Sequence, residues 1–151
     1  MIGAPLPSWA LRDFQPQSCG YGAVYGQAVF VGQVTLVALF SAGCTFCQAQ
    51  TVGLERMRNE LDVAGYDVQF IVLNIPGAQP YQQELVDRCA LPLFQDQADI
   101  LAMAAYGGDT DDMFVYGSDG TLAAYLPNDG TISLSHDEGY AKIRAALLAA
   151  R

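Results

Sequence analysis

Positive charge and long apolar runs are both scarce in this sequence, and each shortage excludes a class of function. Lys142 is the one lysine, and 7 basic residues face 16 acidic ones, so the net charge is −9. Nucleic acids and anionic membrane surfaces are bound through clustered cations, and neither is expected as a partner. The longest apolar run, residues 34–40, is far shorter than the roughly 20 residues that cross a bilayer, so no membrane span is expected.

Cysteine is also scarce, with four residues in a chain of 151: Cys19, Cys44, Cys47 and Cys89. A disulfide-framework protein of this length would carry more. The chain is 52% hydrophobic and has enough apolar material for a core without such staples. We therefore expect Cys19 and Cys89 to lie outside any catalytic couple, as free, buried thiols in preference to the alternative of a Cys19–Cys89 bridge.

The first residues lack both the basic start and the apolar segment of a signal peptide. On this pattern no signal peptide is visible. A cytoplasmic and an exported location both stay open.

The order of predicted elements indicates an α/β protein. Residues 1–33 are rich in proline and glycine and are predicted to form an irregular N-terminal extension that ends in a short strand or hairpin. Residues 34–151 form the predicted core, where strands and helices alternate. The predicted core strands cover residues 34–40, 67–74, 91–94, 113–116 and 122–125, and the helices cover residues 44–64, 81–89, 99–106 and the C-terminal end.

Two local signals support this order. Asp119-Gly120 lies between the last two strands and predicts an antiparallel hairpin. The segment from Ser135 to Glu138 matches a capping box, which predicts a helix start with serine as the N-cap. Helical crossovers make the first two long strands parallel. The result is a central mixed sheet of four or five strands flanked by helices, the thioredoxin layout, in a single domain over residues 1–151.

The pair Cys44-Thr45-Phe46-Cys47 stands where a buried strand gives way to the longest helix. The N–H groups at a helix start stabilise a thiolate on the first cysteine. Cys47, one turn further, can attack a mixed disulfide formed on Cys44. Cys44 and Cys47 are therefore the candidate catalytic residues.

The thiol, histidine and acidic residues also allow interpretations other than redox catalysis. Two buried cysteines can pack as small hydrophobic residues. A zinc site would need two further ligands, and Cys19, Cys89 and His136 show no ligand spacing. His136 lies in the capping box and is expected at a surface helix start. The acidic cluster Asp109, Asp111 and Asp112 is a possible cation site, for which a solvated loop is the favoured interpretation.

Several segments resemble the N-terminal domain of selenoprotein P. They are PSWALRD at residues 7–13, residues 34–47, LERMR at 54–58, GY at 65–66, FIVLN at 70–74, LPLFQD at 91–96 and DDMFVY at 111–116. The resemblance covers most of the chain, with a gap over residues 19–32. The histidine-rich and selenocysteine-rich parts of that family are absent, so the chain resembles a stand-alone, bacterial-type version of the domain.

The resemblance implies roles for the two cysteines. The redox motif of that family is selenocysteine-x-x-cysteine, and Cys44 falls on the selenocysteine position. Cys44 is thereby implied to be the nucleophile and Cys47 the resolving residue. The resemblance also admits a natural selenocysteine at position 44, and no other cofactor and no metal is expected.

Two departures from ordinary thioredoxins narrow the predicted function. Ala38 stands where thioredoxins hold a buried acidic proton acceptor, and Asp111 stands where they hold a substrate-binding proline. These changes argue against a general protein-disulfide reductase. The sequence predicts a thiol or selenol oxidoreductase that reduces small hydroperoxides or low-molecular-weight disulfides, with a thioredoxin- or glutathione-like thiol as its reductant. The alternative is a redox-silent, thioredoxin-like binding module with a structural Cys44–Cys47 disulfide.

Overall fold

A five-stranded mixed sheet forms the centre of the computed structural model, which describes residues 1–151. Its strands, in chain order, are β3 (Val34–Phe40), β4 (Val68–Asn74), β5 (Leu93–Gln95), β6 (Met113–Tyr116) and β7 (Leu122–Leu126); β1 (Leu11–Arg12) and β2 (Val24–Tyr25) form a separate antiparallel pair. The spatial order is β5-β4-β3-β6-β7. Strand β3 runs parallel to β4 and antiparallel to β6, so the predicted mixed sheet is confirmed.

One face of the sheet is covered by the helices α1 (Thr45–Val63), α2 (Gln82–Val86) and α4 (Asp137–Ala149). Successive residues of β3 point to opposite faces, so that Leu36 packs on this side and Val37 on the other. Helix α1 buries Leu54 and Leu61 at helical spacing. It ends before Gly65, which has a φ of +86° that favours glycine.

The opposite face is covered by α3 (Ala102–Ala105) and by the N-terminal extension. The indole N–H of Trp9 donates a hydrogen bond to the Tyr106 hydroxyl at 2.8 Å. The ring of Tyr25 meets Phe94 edge to face, 4.8 Å between centroids. Asp13 is buried and accepts hydrogen bonds from the hydroxyls of Ser18 and Tyr25, both at 2.6 Å. The predicted strand or hairpin at the end of the extension is wrong, because Gln27–Phe30 form a 3-10 helix there. The extension forms its antiparallel pair earlier, between β1 and β2.

The predicted capping box before α4 is wrong. The helix begins one residue later than predicted, with His136 at the N-cap and no side-chain cap. Gln50 of α1 takes up this segment instead: its amide group donates to the Ser135 hydroxyl at 3.3 Å and accepts from the Leu134 N–H at 2.7 Å. A tertiary contact with a buried glutamine has replaced the local cap.

Helix α3 is shorter than the predicted helix over residues 99–106 because its start is set by a distant side chain. The carboxylate of Asp96 accepts hydrogen bonds from the N–H groups of Ala102 and Met103, at 2.8 and 2.9 Å. Leu101 has a φ of +54°, which interrupts any helix that starts earlier. None of the helices combines the length and the hydropathy that a transmembrane segment requires.

Candidate functional site

Cys44 is the N-cap of α1 and lies four residues after the C-terminal end of β3, the central strand of the sheet. Its backbone is extended, and its Sγ accepts a hydrogen bond from the Cys47 N–H at 3.4 Å, as the oxygen of a capping serine would. Cys44 is half-buried, whereas Cys47 is fully buried in the first turn. Cys44 is therefore the more exposed of the two residues.

The environment of Cys47 disfavours its thiolate. Burial raises the pKa of the Cys47 thiol, and a hydrogen bond to Asp111 raises it further. The Ser41 N–H, which points at the sulfur from 3.3 Å, acts in the opposite direction and is outweighed. Both cysteines are free thiols in the structure.

The sequence pattern placed Asp111 in an acidic cluster and at the position of the substrate-binding proline, but it did not predict that Asp111 contacts a cysteine. Its carboxylate accepts a hydrogen bond from the Cys47 thiol. The backbone of Asp111 is left-handed, with a φ of +78°, and its N–H donates to the carbonyl of Leu39 at 2.6 Å. Uncommon backbone conformations of this kind occur often at functional sites, which makes Asp111 a candidate functional residue.

The pairing of β3 with β6, which the sequence pattern did not predict, explains how Asp111 reaches the two thiols. Asp111 comes directly before β6, and β6 is antiparallel to β3, so the start of β6 lies beside the end of β3. Cys44 follows the end of β3 by four residues. The favoured interpretation of the acidic cluster as a solvated loop is therefore wrong for Asp111, which is half-buried.

It is also wrong for Asp112, which is buried and structural. The Asp112 carboxylate accepts hydrogen bonds from the Tyr125 hydroxyl at 2.6 Å and from the Asn128 N–H at 2.8 Å. It also accepts from the backbone of Asp109, at 2.9 Å. Asp109 itself is exposed.

The loop between β3 and α1 is held by buried amides. The Asn74 side chain accepts from the Ala42 N–H at 2.9 Å and donates to Gln95 at 2.7 Å. Gln48 donates to the carbonyl of Ala42 at 2.8 Å. The segment that leads into Cys44 is therefore fixed from both sides.

The rim of the site includes two exposed aromatic residues. Phe46, between the two cysteines, is 38% exposed, and Tyr81 is 54% exposed. The Tyr81 ring lies over Gly43, where an added Cβ would come within 3.1 Å of it. The three ion pairs of the structure, Arg56–Glu60, Arg58–Glu55 and Arg88–Glu84, involve none of the residues around the two thiols.

The other candidate residues lie outside this cluster. Cys19 and Cys89 are free, as expected, but Cys19 is exposed rather than buried. Burial raises the pKa of the Cys89 thiol to about 12. His136 is exposed at the start of α4, as predicted. The site thus consists of Cys44, Cys47 and Asp111, whose potential ligand atoms all lie within 4.8 Å of one another.

Comparison with known proteins agrees with the resemblance read from the sequence. A model of the family "Selenoprotein P, N terminal region" matches residues 3–128. The chain belongs to this family. Bovine selenoprotein P is 27% identical over 128 residues, which are 80% of this chain and 29% of that protein. The chain thus spans about 29% of the length of this curated relative.

Solved structures of low sequence identity share the fold. A Chlorobium tepidum protein assigned as the thiol:disulfide interchange protein DsbE has a TM-score of 0.79 at 14% identity, with 99% of this chain and 97% of that one covered. The thioredoxin domain of a Bacteroides vulgatus thiol-disulfide oxidoreductase has a TM-score of 0.75 at 14% identity, with 97% and 98% covered. A secreted Mycobacterium tuberculosis disulfide oxidoreductase homologous to Escherichia coli DsbE has a TM-score of 0.71 at 15% identity, with 93% and 95% covered. The predicted thioredoxin fold is confirmed.

Proposed function

We propose that this chain is a thiol redox enzyme that cycles Cys44 and Cys47 between a dithiol and a disulfide. The observation that carries the proposal is the arrangement of the two sulfurs at the start of α1. A half-exposed sulfur at the helix N-cap stands one turn before a buried sulfur, and each accepts a backbone N–H hydrogen bond. The similar solved structures include proteins described as thiol-disulfide oxidoreductases, which supports the same class of chemistry.

In the proposed cycle the Cys44 thiolate attacks one sulfur of a small disulfide. The Cys44–substrate bond forms, the substrate S–S bond breaks, and the first substrate thiol leaves as a thiolate. Cys47 then attacks the Cys44 sulfur and releases the second substrate thiol, which leaves the Cys44–Cys47 disulfide. The proton of Cys47 passes to the Asp111 carboxylate, its hydrogen-bond partner. Two equivalents of a thioredoxin- or glutathione-like thiol restore the dithiol.

A small hydroperoxide would enter the same cycle. The Cys44 thiolate attacks the terminal peroxide oxygen, the O–O bond breaks, and Cys44 becomes a sulfenic acid. The alkoxide leaves and takes up a proton from water to give the alcohol. Attack by Cys47 on the Cys44 sulfur then forms the disulfide and releases water. A small substrate is favoured over a protein chain because Asp111 replaces the proline with which thioredoxins bind the substrate backbone.

Position 44 is also the place for selenium chemistry in this proposal. Cys44 falls on the selenocysteine position of the family, and a selenol ionises at lower pH than a thiol. We propose that selenocysteine at this position carries out the same first step, and faster in acid. An in-frame stop codon at position 44 of the coding sequence would identify it as the natural residue.

Trapping experiments test the cycle. In a Cys19→Ser background, which removes the other accessible thiol, Cys47→Ser should accumulate a mixed disulfide or a sulfenic acid on Cys44. Cys44→Ser should abolish turnover of both substrate types. Mass spectrometry of the trapped species is the readout. Accumulation of the adduct on Cys47 in the Cys44→Ser variant would reverse the two roles, and full turnover by that variant would refute the proposal.

A further inference from the structure

We propose that the reduced site is also a binding site for a thiophilic divalent cation of the zinc type, with Cys44, Cys47 and Asp111 as its protein ligands. Two thiol sulfurs and one carboxylate oxygen, all within 4.8 Å of one another, are brought together here. Thiolate and carboxylate are donor groups that Zn²⁺ accepts in proteins. No ligand spacing in the sequence predicts the set, because Asp111 lies 64 residues beyond Cys47.

The spacing of the donor atoms suits a tetrahedral ion. Zn–S and Zn–O bonds of about 2.3 and 2.1 Å place tetrahedral ligand atoms roughly 3.5 to 3.8 Å apart. The three atoms lie within 4.8 Å of one another, so the proposal requires only small side-chain rotations to bring them onto one ion. Cys44 is half-buried, so the fourth position faces solvent and is available to a water molecule.

The surroundings hold the ligands in place before any ion arrives. The two sulfurs accept hydrogen bonds from the N–H groups of Cys47 and Ser41, and such bonds stabilise thiolates in metal sites. Asp111 is tied to the end of β3 through its own N–H and the Leu39 carbonyl. The ligands therefore come from two fixed segments, the first turn of α1 and the loop before β6.

The charge of the cluster favours a cation. With both thiols ionised the three groups carry three negative charges in a half-buried place, and no lysine or arginine is paired with any of them. A divalent ion supplies the missing positive charge. Its binding replaces two S–H bonds by two S–metal bonds and releases two protons, and no electrons are transferred.

Metal binding and disulfide formation exclude each other, because a Cys44–Cys47 bond removes two of the three ligands. The inference does not depend on turnover: it rests on ligand type and spacing, and a redox-silent chain would bind metal equally well while reduced. If the chain both cycles its disulfide and binds the metal, the bound ion protects the dithiol and has to leave before Cys44 can react.

The test uses the full chain in the Cys19→Ser background, reduced and free of metal. Zn²⁺ is titrated calorimetrically, and Co²⁺ serves as a spectroscopic probe. We expect one ion per chain, and for Co²⁺ a thiolate charge-transfer band with the ligand-field bands of a tetrahedral ion. Asp111→Asn should weaken Zn²⁺ binding at least about tenfold. Asp109→Asn removes the same charge from an exposed neighbour and should leave the affinity unchanged.

Cys44→Ser is the second variant, and it should fold because serine is a favoured N-cap residue. It should lose the charge-transfer intensity of one sulfur and weaken Zn²⁺ binding by a larger factor than Asp111→Asn. Absence of stoichiometric binding by the parent chain would overturn the proposal. Equal affinity in Asp111→Asn would overturn the ligand set, as would tight binding by the oxidised protein. Disulfide cycling is measured separately in metal-free protein. The metal-binding proposal and the redox proposal can therefore fail independently of each other.

Discussion

The carboxylate of Asp111 accepts a hydrogen bond from the thiol of Cys47, although 64 residues separate them in the chain. Thioredoxins place their acid on the strand before the helix, at the position that Ala38 occupies here. In this chain the acid comes from the loop before β6 instead. Asp111 therefore stands both at the place of the substrate-binding proline and beside the buried Cys47 thiol.

The exposure of the two sulfurs predicts a difference in alkylation. In the reduced Cys19→Ser chain near neutral pH, iodoacetamide should modify Cys44 much faster than Cys47, because Cys44 is half-exposed and capped by an N–H group. Burial and the contact with Asp111 keep Cys47 protonated. Peptide mapping after timed quenching measures both rates. Faster modification of Cys47 would reverse the assignment of nucleophile and resolving residue.

The Asp111–Cys47 contact predicts an effect on one step only. Asp111→Asn keeps the shape of the side chain but removes its capacity to take the Cys47 proton, so closure of the mixed disulfide should slow roughly a hundredfold. The first step, attack by Cys44, should keep its rate. Rapid-quench kinetics with a small disulfide separate the two phases.

Asp109→Asn is the matched control for this variant and should change neither phase, since Asp109 is exposed and makes no contact with the thiols. An unchanged second phase in Asp111→Asn would show that the proton leaves Cys47 by another route.

Burial of Cys89 predicts a loss of stability in alkaline solution. Its folded pKa of about 12 lies above the value near 8.5 of an unfolded thiol, so the unfolded chain gives up this proton first as the pH rises. Below pH ~8.5 the buried, protonated Cys89 makes its full contribution to the free energy of unfolding. Between pH ~8.5 and pH ~12 that free energy should fall by up to about 1.4 kcal/mol per pH unit. Urea unfolding of Cys89→Ala should show a shallower fall, whereas the exposed Cys19→Ala should match the parent.

The packing of the N-terminal extension predicts a single unfolding transition over residues 1–151. Trp9 is the one tryptophan, and its indole is bonded to Tyr106 and packed against Phe94 at 5.1 Å. Urea unfolding followed by tryptophan fluorescence should coincide with unfolding followed by far-ultraviolet circular dichroism. A fluorescence transition at clearly lower urea would show that the extension is a separate unit.

The parts of the fold that follow from local pattern were predictable. The continuous apolar run of β3 and the glycine after α1 carry their own signals, and so does the place of Cys44 at a strand-to-helix junction. The family resemblance added the roles implied for Cys44 and Cys47, which stay proposals here.

These failures share a feature, because each involves a side-chain contact that the local sequence pattern does not encode. Gln50 replaced the serine cap before α4, and Asp96 set the start of α3 from outside it. Asp111 reached Cys47 only because two strands pair. A single sequence carries little information on such contacts, and the pairing of β3 with β6, which brings Asp111 to the thiols, was not predicted.

The reduction potential of the Cys44–Cys47 couple tests the central claim most directly. Metal-free Cys19→Ser protein is equilibrated with glutathione or dithiothreitol buffers, and the two redox forms are counted by thiol trapping and mass spectrometry. The proposed redox cycle requires a potential above about −300 mV, where cellular thiols can open the bond. A potential far below that value would mean a permanently closed, structural disulfide, and the chain would then be a redox-silent binding module.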